Sequence, residues 1–525
     1  MMRYRISEIK LDIRQSQEEL PTAVRKKIKK KDLDIHDLKI IKESVDARKK
    51  PDIKKVYTLE FSCSQKLPLK EAAERKYQVP VADGSGKERP VVVGFGPAGM
   101  FAGLILAEMG LNPVILERGE PVEQRIKTVQ KFWKDGILDP ESNVQFGEGG
   151  AGTFSDGKLT TGIKDIRIGK VLEEFVEAGA DPGILYKQKP HIGTDKLQGI
   201  VKNIRRKIEM LGGEIRFGNR LEDIKLSGEN KAGERTLQQV EKVIVQKRKE
   251  DKSTELYELS TSCLILATGH SARDTFEMLR DHEAAMEQKP FSIGVRIQHL
   301  QKIINEAQYG DGSLADILGP AEYKLHHKCE NGRGVYTFCM CPGGDIIDSS
   351  SEPETAVTNG MSGSARDGAY ANSGLLVDVK TEDFRSEDPL AGIAFQKKYE
   401  KLAYRQGNGS IPETTYEKFR DDMTDPVRNS LPDFAVDSIV EAMPHLGRKL
   451  CGFDAPEAVV KAVETRSSSP VRILRDESGQ SSIGGLFPAG EGPGYAGGIV
   501  SAAVDGIRMA EKAALVIFSE KPNIL

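Results

Sequence analysis

Residues 90–119, PVVVGFGPAGMFAGLILAEMGLNPVILERG, constrain the fold more than any other stretch of the chain. An apolar strand runs into Gly94-Phe95-Gly96-Pro97-Ala98-Gly99, an Ala/Leu-rich helix follows, and a second apolar strand ends at Glu117, 18 residues after Gly99. G-x-G-x-x-G alone is a weak pattern; between a strand and a helix it marks a doubly wound, Rossmann-like sheet. Gly94 permits the tight turn, Gly96 lets a pyrophosphate approach the backbone, and Gly99 lets helix and strand pack closely. The helix N-terminus, opened by Pro97 and Ala98, offers unpaired N–H groups and partial positive charge to that pyrophosphate. Glu117 is placed to accept from ribose hydroxyls, and an acid there disfavours a 2′-phosphate and hence NADP.

Other segments have the same α/β character. Asp195–Leu211 has helical apolar spacing, 213–224 reads as a strand, and the polar stretch 226–260 as a solvent-facing β-hairpin. Cys263–Ala267 is a short buried strand ending at Thr268-Gly269. Gly484–Ala489 is again a strand entering a glycine turn, with a closing helix over 500–518. The dinucleotide fold is therefore expected to be discontinuous, 89–285 and 466–525, with an inserted α+β substrate or cap domain at 286–465. Ahead of it, 1–80 reads as β-α-β-β: strands at 3–13, 38–45 and 54–62 and a helix at 20–31. This is a small basic α+β domain for which a ferredoxin-like form is the candidate, joined through the Pro/Gly/Ser-rich linker 79–88.

Composition narrows the function classes. Net charge is −3, against bulk nucleic-acid binding, although residues 1–60 carry 17 Lys/Arg against 11 Asp/Glu. No apolar run reaches membrane-spanning length, the N-terminus lacks a signal-peptide core, and six Cys in 525 residues do not form a disulfide scaffold. The expected compartment is the reducing cytoplasm.

Three further segments resemble flavoprotein motifs. Gly485–Gly492 (GLFPAGEG), followed by Gly494, Gly497, Gly498 and a helix, is similar to the second flavin motif of two-dinucleotide-fold flavoproteins. The resemblance places Glu491, where Asp is commoner, on the ribityl chain, with Gly490, Gly498 and Ile499 at a helix N-terminus aimed at the flavin pyrimidine. Leu264–Gly269 resembles the ATG strand beside the flavin, bringing in Thr268 and Gly269. Residues 147–157 hold five glycines, and Gly149, Gly150 and Gly152 suit a backbone passing close to a flat ring. Lys158 is a candidate for flavin N1/C2=O; Arg118 and Leu221 complete the candidate cofactor contacts. Together VVVGFGPAGMFAGL, FGEGGAGTFSDGKL, FCMCPGG and SSPVRI resemble the uncharacterised bacterial FAD-dependent dehydrogenases, an NAD(P)/FAD-dependent oxidoreductase family, which implies FAD and no assigned substrate.

The catalytic candidates are weaker. Cys339-Met340-Cys341 beside a flavin can form a redox disulfide or bind a soft metal. Lacking a second Cys pair at zinc-like spacing, and with a strained C-x-C ring, it is read as a strand whose free thiols pack near the pocket. His270 is a candidate proton donor, Arg296 a candidate reaching the pocket from the inserted sheet, and Arg466 or Arg472 a candidate for orienting an anionic substrate or the flavin. His326-His327 with Cys329 is a loose cluster, and no metal is expected. The primary expectation is an oxidoreductase passing a hydride between flavin N5 and a small-molecule substrate. With no second G-x-G-x-x-G, the electron donor is NAD(P)H entering the substrate pocket or a protein. The rival readings are an RNA-binding or RNA-modifying flavoprotein using the basic N-terminal domain, and a non-catalytic flavin sensor or scaffold.

Overall fold

The computed structural model describes residues 1–48, 52–72, 76–80, 88–228 and 238–519, so most of the expected linker, 81–87, lies outside the described residues. At its centre is a five-stranded parallel sheet ordered Leu486–Pro488, Leu264–Leu266, Val91–Val93, Val114–Glu117, Glu214–Phe217. The edge strand comes from the far end of the chain, so the sheet is discontinuous, as the two glycine turns imply. On one face lies the helix Pro97–Glu108, nearly every residue of which is buried. It needs no polar face because the closing helix Ile499–Ser519, the helix Thr194–Met210 and the sheet enclose it.

The stretch 213–224 is not one strand. Gly218, at φ +67°, breaks it: Glu214–Phe217 joins the parallel sheet, and Asn219–Ser227 starts an antiparallel one. With Gln239–Arg248 and Thr254–Ser260 it makes a three-stranded meander, one strand more than the expected hairpin. Val240, Val243 and Val245, brought to one side by a register shift between the first two, are buried and cover the other face of the parallel sheet.

Residues 286–465 build a six-stranded antiparallel sheet whose central strand, Phe291–Leu300, pairs with Tyr370–Val379 on one side and Val459–Glu464 on the other. The helix Asp433–Lys449 packs its buried side on this sheet. A hairpin, Gly344–Asp348 with Thr358–Ser362, lies towards the parallel-sheet domain. The N-terminal strands run in the order His36–Asp46, Lys54–Cys63, Met2–Asp12, Lys70–Glu71, all antiparallel, with the helix Leu20–Ile28 packed on them. This is the split β-α-β arrangement of a ferredoxin-like sheet, with only the short link 64–69 where a second helix would cross. Its outer strand meets the rest of the chain through Glu43, whose N–H and C=O pair with Tyr186 and Gln188.

Candidate active site

A cavity of about 610 Å³ runs from the Gly94–Ala98 turn, between the parallel sheet and the inserted sheet. Its first wall is backbone. Gly94 has φ +94°, and a Cβ there would sit 2.4 Å from the Ala267 carbonyl oxygen. At Gly99 a Cβ would lie 1.9 Å from the Gly94 carbonyl oxygen. Both glycines are thus required by the protein's own packing. Gly96 is different: its φ is −77°, and an added Cβ meets nothing closer than the Gly150 Cα at 3.7 Å. Gly497 likewise has nothing within 4 Å. Protein packing requires no glycine at these two cavity-lining positions, and both leave open space on the cavity side.

Arg125, fully buried, holds the glycine-rich loop in shape. It donates to the carbonyls of Asn143, Val144, Gly147, Glu148 and Gly150 at 2.6–3.2 Å. A Cβ on Gly147 would meet the Arg125 side chain at 2.4 Å. Burial lowers this guanidinium to about 10, still far above physiological pH. The loop is tied to the first turn where Gly149 N–H donates to Phe95 C=O at 2.8 Å. Nothing in the sequence singled out Arg125, because its partners are main-chain atoms of a loop 18–25 residues away.

Glu117 is buried, and its carboxylate accepts from the N–H groups of Phe95, Gly119 and Gly147 at 2.8–2.9 Å. It fastens the turn, the strand end and the loop together, leaving about one of its four acceptor positions for a ribose hydroxyl. Arg118, Gly150, Gly152, Lys158, Leu221, Thr268, Gly269, Glu491, Gly498 and Ile499 also line the cavity. Gly99, Gly149 and Gly490 lie behind it: a Cβ on Gly149 would strike the Thr153 hydroxyl at 2.1 Å, and one on Gly490 would meet the Ala98 methyl at 2.7 Å. Their requirement is packing.

The opposite wall is made of charge. Lys158 donates to Met340 C=O and pairs with Asp156 at 3.0 Å. Asp156 also pairs with Arg366, whose other nitrogen reaches Glu322 at 2.7 Å. Burial opposes ionisation of Asp156, but Lys158 and Arg366 hold it down to about 2. Arg466 and Arg273 grip the buried Glu400 from two sides at 2.9–3.1 Å. Arg466 also donates to Ser271 and Ser351, so it reaches the cavity with its donors already engaged. His270 lines the cavity with its Nε2 3.9 Å from Glu491. Burial, then Arg466 and Arg273, push its pKa down to about 3, which makes it a neutral ring at pH 7 and a poor proton donor. Burial raises Glu491 to about 7, so the carboxyl beside it is the better-poised acid.

Arg296 does not reach the cavity. It is fully buried behind the wall, where it pairs with Glu464 through both carboxylate oxygens at 2.9 Å and donates to Cys339 C=O at 2.7 Å. Cys339 lines the cavity; Cys341 is fully buried behind it. All six cysteines are free thiols. Sequence reasoning missed Asp156, Arg366 and Glu400 as partners: Asp156 lies inside a quoted motif beside Lys158, but its second cation, Arg366, is 210 positions away.

A family model described as FAD-dependent protein, C-terminal domain-like, matches residues 290–467, and one described only as a domain of unknown function matches 3–62. An uncharacterized protein of Clostridium beijerinckii is 43% identical over 547 residues, covering 97% of this chain and 98% of its own. Among solved structures, a flavoprotein/dehydrogenase from Cytophaga hutchinsonii is similar at 11% identity, with 83% of this chain and 80% of that one covered and a TM-score of 0.34. A geranylgeranyl bacteriochlorophyll reductase-like protein from Thermoplasma acidophilum gives 12% identity, 82% and 79% coverage and a TM-score of 0.35. These superpositions are loose, and the fold assignment rests on the sheet topology instead. FAD is the cofactor, and the cavity fits it: a glycine turn at a helix N-terminus for the pyrophosphate, and Gly96 and Gly497 open where a close ligand must pass.

Proposed function

The chain belongs to the same family as the full-length Clostridium beijerinckii protein, and on that footing we propose that it is an FAD-dependent oxidoreductase passing a hydride between flavin N5 and a substrate bound against the inserted sheet. One observation carries the reading: a single cavity joins the glycine-built dinucleotide wall to the charged wall carrying Cys339, Lys158 and Arg466. The flavin, when bound, supplies the two-electron chemistry. The protein's residues position and tune it. Gly94–Ala98 and the Pro97–Glu108 helix N-terminus would take the pyrophosphate, and Glu117 would offer its remaining acceptor position to the ribose. The start of the closing helix at Gly498-Ile499 contributes unpaired N–H groups to the cavity. Glu491, protonated up to about pH 7, holds a proton at the cavity surface beside neutral His270.

The described residues hold one multi-stranded parallel sheet. The electron donor therefore enters the substrate side of the same cavity or is a protein. Purified protein should be yellow and release FAD on heating; anaerobic mixing with NADH, NADPH and a metabolite panel should bleach the flavin with one of them. Colourless protein that takes up no added FAD overturns the reading.

A further inference from the structure

The strand Gly334–Cys341 loses register with its neighbour between Phe338 and Cys341. Within that bulge Cys339 has φ +43°, a left-handed conformation that a residue with a Cβ seldom adopts. Such strain persists only where the surroundings impose it, and it gathers at functional sites. Here the surroundings are two cations gripping consecutive carbonyls: Arg296 takes Cys339 C=O, and Lys158 takes Met340 C=O. Arg296 also points Nη2 at Cys341 Sγ, 3.6 Å away, and the Cys341 thiol donates to Cys339 C=O at 3.3 Å. The bulge thus sets Cys339 on the cavity wall with Cys341 buried behind it.

Room has been made for this arrangement. A Cβ at Gly360 would lie 2.2 Å from Arg296 Nη2, and one at Gly374 would lie 2.8 Å from a Glu464 carboxylate oxygen. A fully buried Arg–Glu pair is a poor way to gain stability, since desolvation offsets its attraction. A fixed positive charge behind a thiol does have a chemical use, because cations favour the reactive thiolate.

We propose that Cys339 and Cys341 are a redox-active pair that exchanges two electrons with the flavin, Cys339 as the thiolate on the cavity wall and Cys341 as its buried thiol partner. This rests on the FAD reading above. The step balances as written: the Cys339 sulfur–Cys341 sulfur bond forms, the Cys341 S–H bond breaks, and oxidised flavin takes the electron pair and that proton. Reversal reduces the disulfide at the expense of reduced flavin. The neighbouring Cys341 side chain, then Lys158 and Arg296, lower the Cys339 pKa against its burial, while Cys341 is raised. Asp156, Glu464 and Glu491 face the pair with the opposite influence, and Glu464 and Glu491 are themselves pushed up to about 7 by burial. A disulfide across one intervening residue is strained, and strained disulfides are the easily reduced, working ones.

The test uses the full-length holoprotein and reads electrons and thiols, not turnover. Anaerobic dithionite titration should consume two two-electron equivalents per FAD in wild type and one in Cys339→Ser or Cys341→Ser. Alkylation after denaturation should find four of the six thiols in the oxidised protein and all six after reduction. The peptide holding both cysteines should be two hydrogens lighter in the oxidised sample. If Cys341→Ser fails to fold, the wild-type thiol count and peptide mass decide the matter alone. Yellow protein with six thiols in both states and one equivalent per FAD overturns the pair and leaves the flavoenzyme reading intact. A disulfide that forms but stays oxidised when the flavin is bleached overturns the coupling, and protein unable to hold FAD overturns both.

Discussion

The two walls of the cavity are built on opposite principles. The dinucleotide wall is main chain: glycines at 94, 96, 150 and 497, helix N-termini, and carbonyls gathered by Arg125. The opposite wall is formed and backed by buried charge: Arg296 with Glu464, Arg366 with Asp156, Arg466 and Arg273 with Glu400. A backbone wall fits a large cofactor closely and is intolerant of added atoms. A charged wall tunes protonation and holds its shape only while every charge keeps its partner. The same kind of substitution should therefore fail differently on the two sides.

The largest effects fall on the backbone side. Gly99→Val drives a side chain into the Gly94 carbonyl, and we expect loss of soluble protein or of more than about 4 kcal/mol in denaturant unfolding. At Gly96, three residues away, an added Cβ meets nothing closer than the Gly150 Cα at 3.7 Å, so Gly96→Val is the milder change for the protein's own packing. It should keep most of the wild-type melting temperature as apoprotein while losing FAD occupancy. Equal FAD content in wild type and Gly96→Val would break the assignment of this turn to the cofactor.

On the charged side, Arg296→Met leaves Glu464 buried without its cation and should cost about 3–5 kcal/mol, measured by urea unfolding. Arg296→Met combined with Glu464→Gln should recover part of that loss, because no lone charge remains. If the double variant is as unstable as the single one, the pair is not the source of the cost. Glu117→Ala sharpens the contrast from the first wall. It strands three backbone N–H groups, so about 2–3 kcal/mol of stability should go, together with weaker FAD binding.

The same contrast decides what the sequence discloses. The parallel sheet, its discontinuity and the glycine turns are legible because the cause is local: a missing Cβ, a strand beside a helix, an apolar run of three or four. Gly96 is legible for the same reason. The same pattern marks Gly99 for close packing of helix and strand, and the structure gives it that role; Gly149 and Gly490 are read as cofactor contacts, yet the structure gives them packing roles, since a motif does not say which side of the turn faces a ligand. The charged wall is illegible because its partners lie far apart in the chain. Arg296 meets Glu464 across 168 positions and Arg273 meets Glu400 across 127. Nothing local distinguishes such an arginine from one on the surface, and Arg296 was accordingly expected in the cavity when it stands behind it. The C-x-C motif falls between the two cases: its oddity is local, while the cations that give it a use come from residues 158 and 296.

One buried acid breaks the rule on the backbone side and yields the smallest effect. Glu148 is fully buried in the glycine-rich loop. One of its oxygens accepts from Val122 N–H at 2.7 Å and lies 3.3 Å from Arg205; the other has no partner. Burial raises it from 4.5 to about 7. The folded state therefore binds a proton more tightly than the unfolded chain does. Below about pH 4.5 both states are protonated and the group adds no pH dependence. Between there and pH 7 the unfolded chain ionises first, so stability falls as pH rises, and the deficit is complete above pH 7. Glu148→Gln mimics the protonated acid. It should match wild type near pH 4.5 and exceed it at pH 8 by roughly 1–3 kcal/mol, within the ceiling set by the shift. Urea unfolding at both pH values reads the difference directly. A wild type more stable than the variant at pH 8 would mean that Arg205 outweighs burial, and that this wall, too, depends on a charge pair.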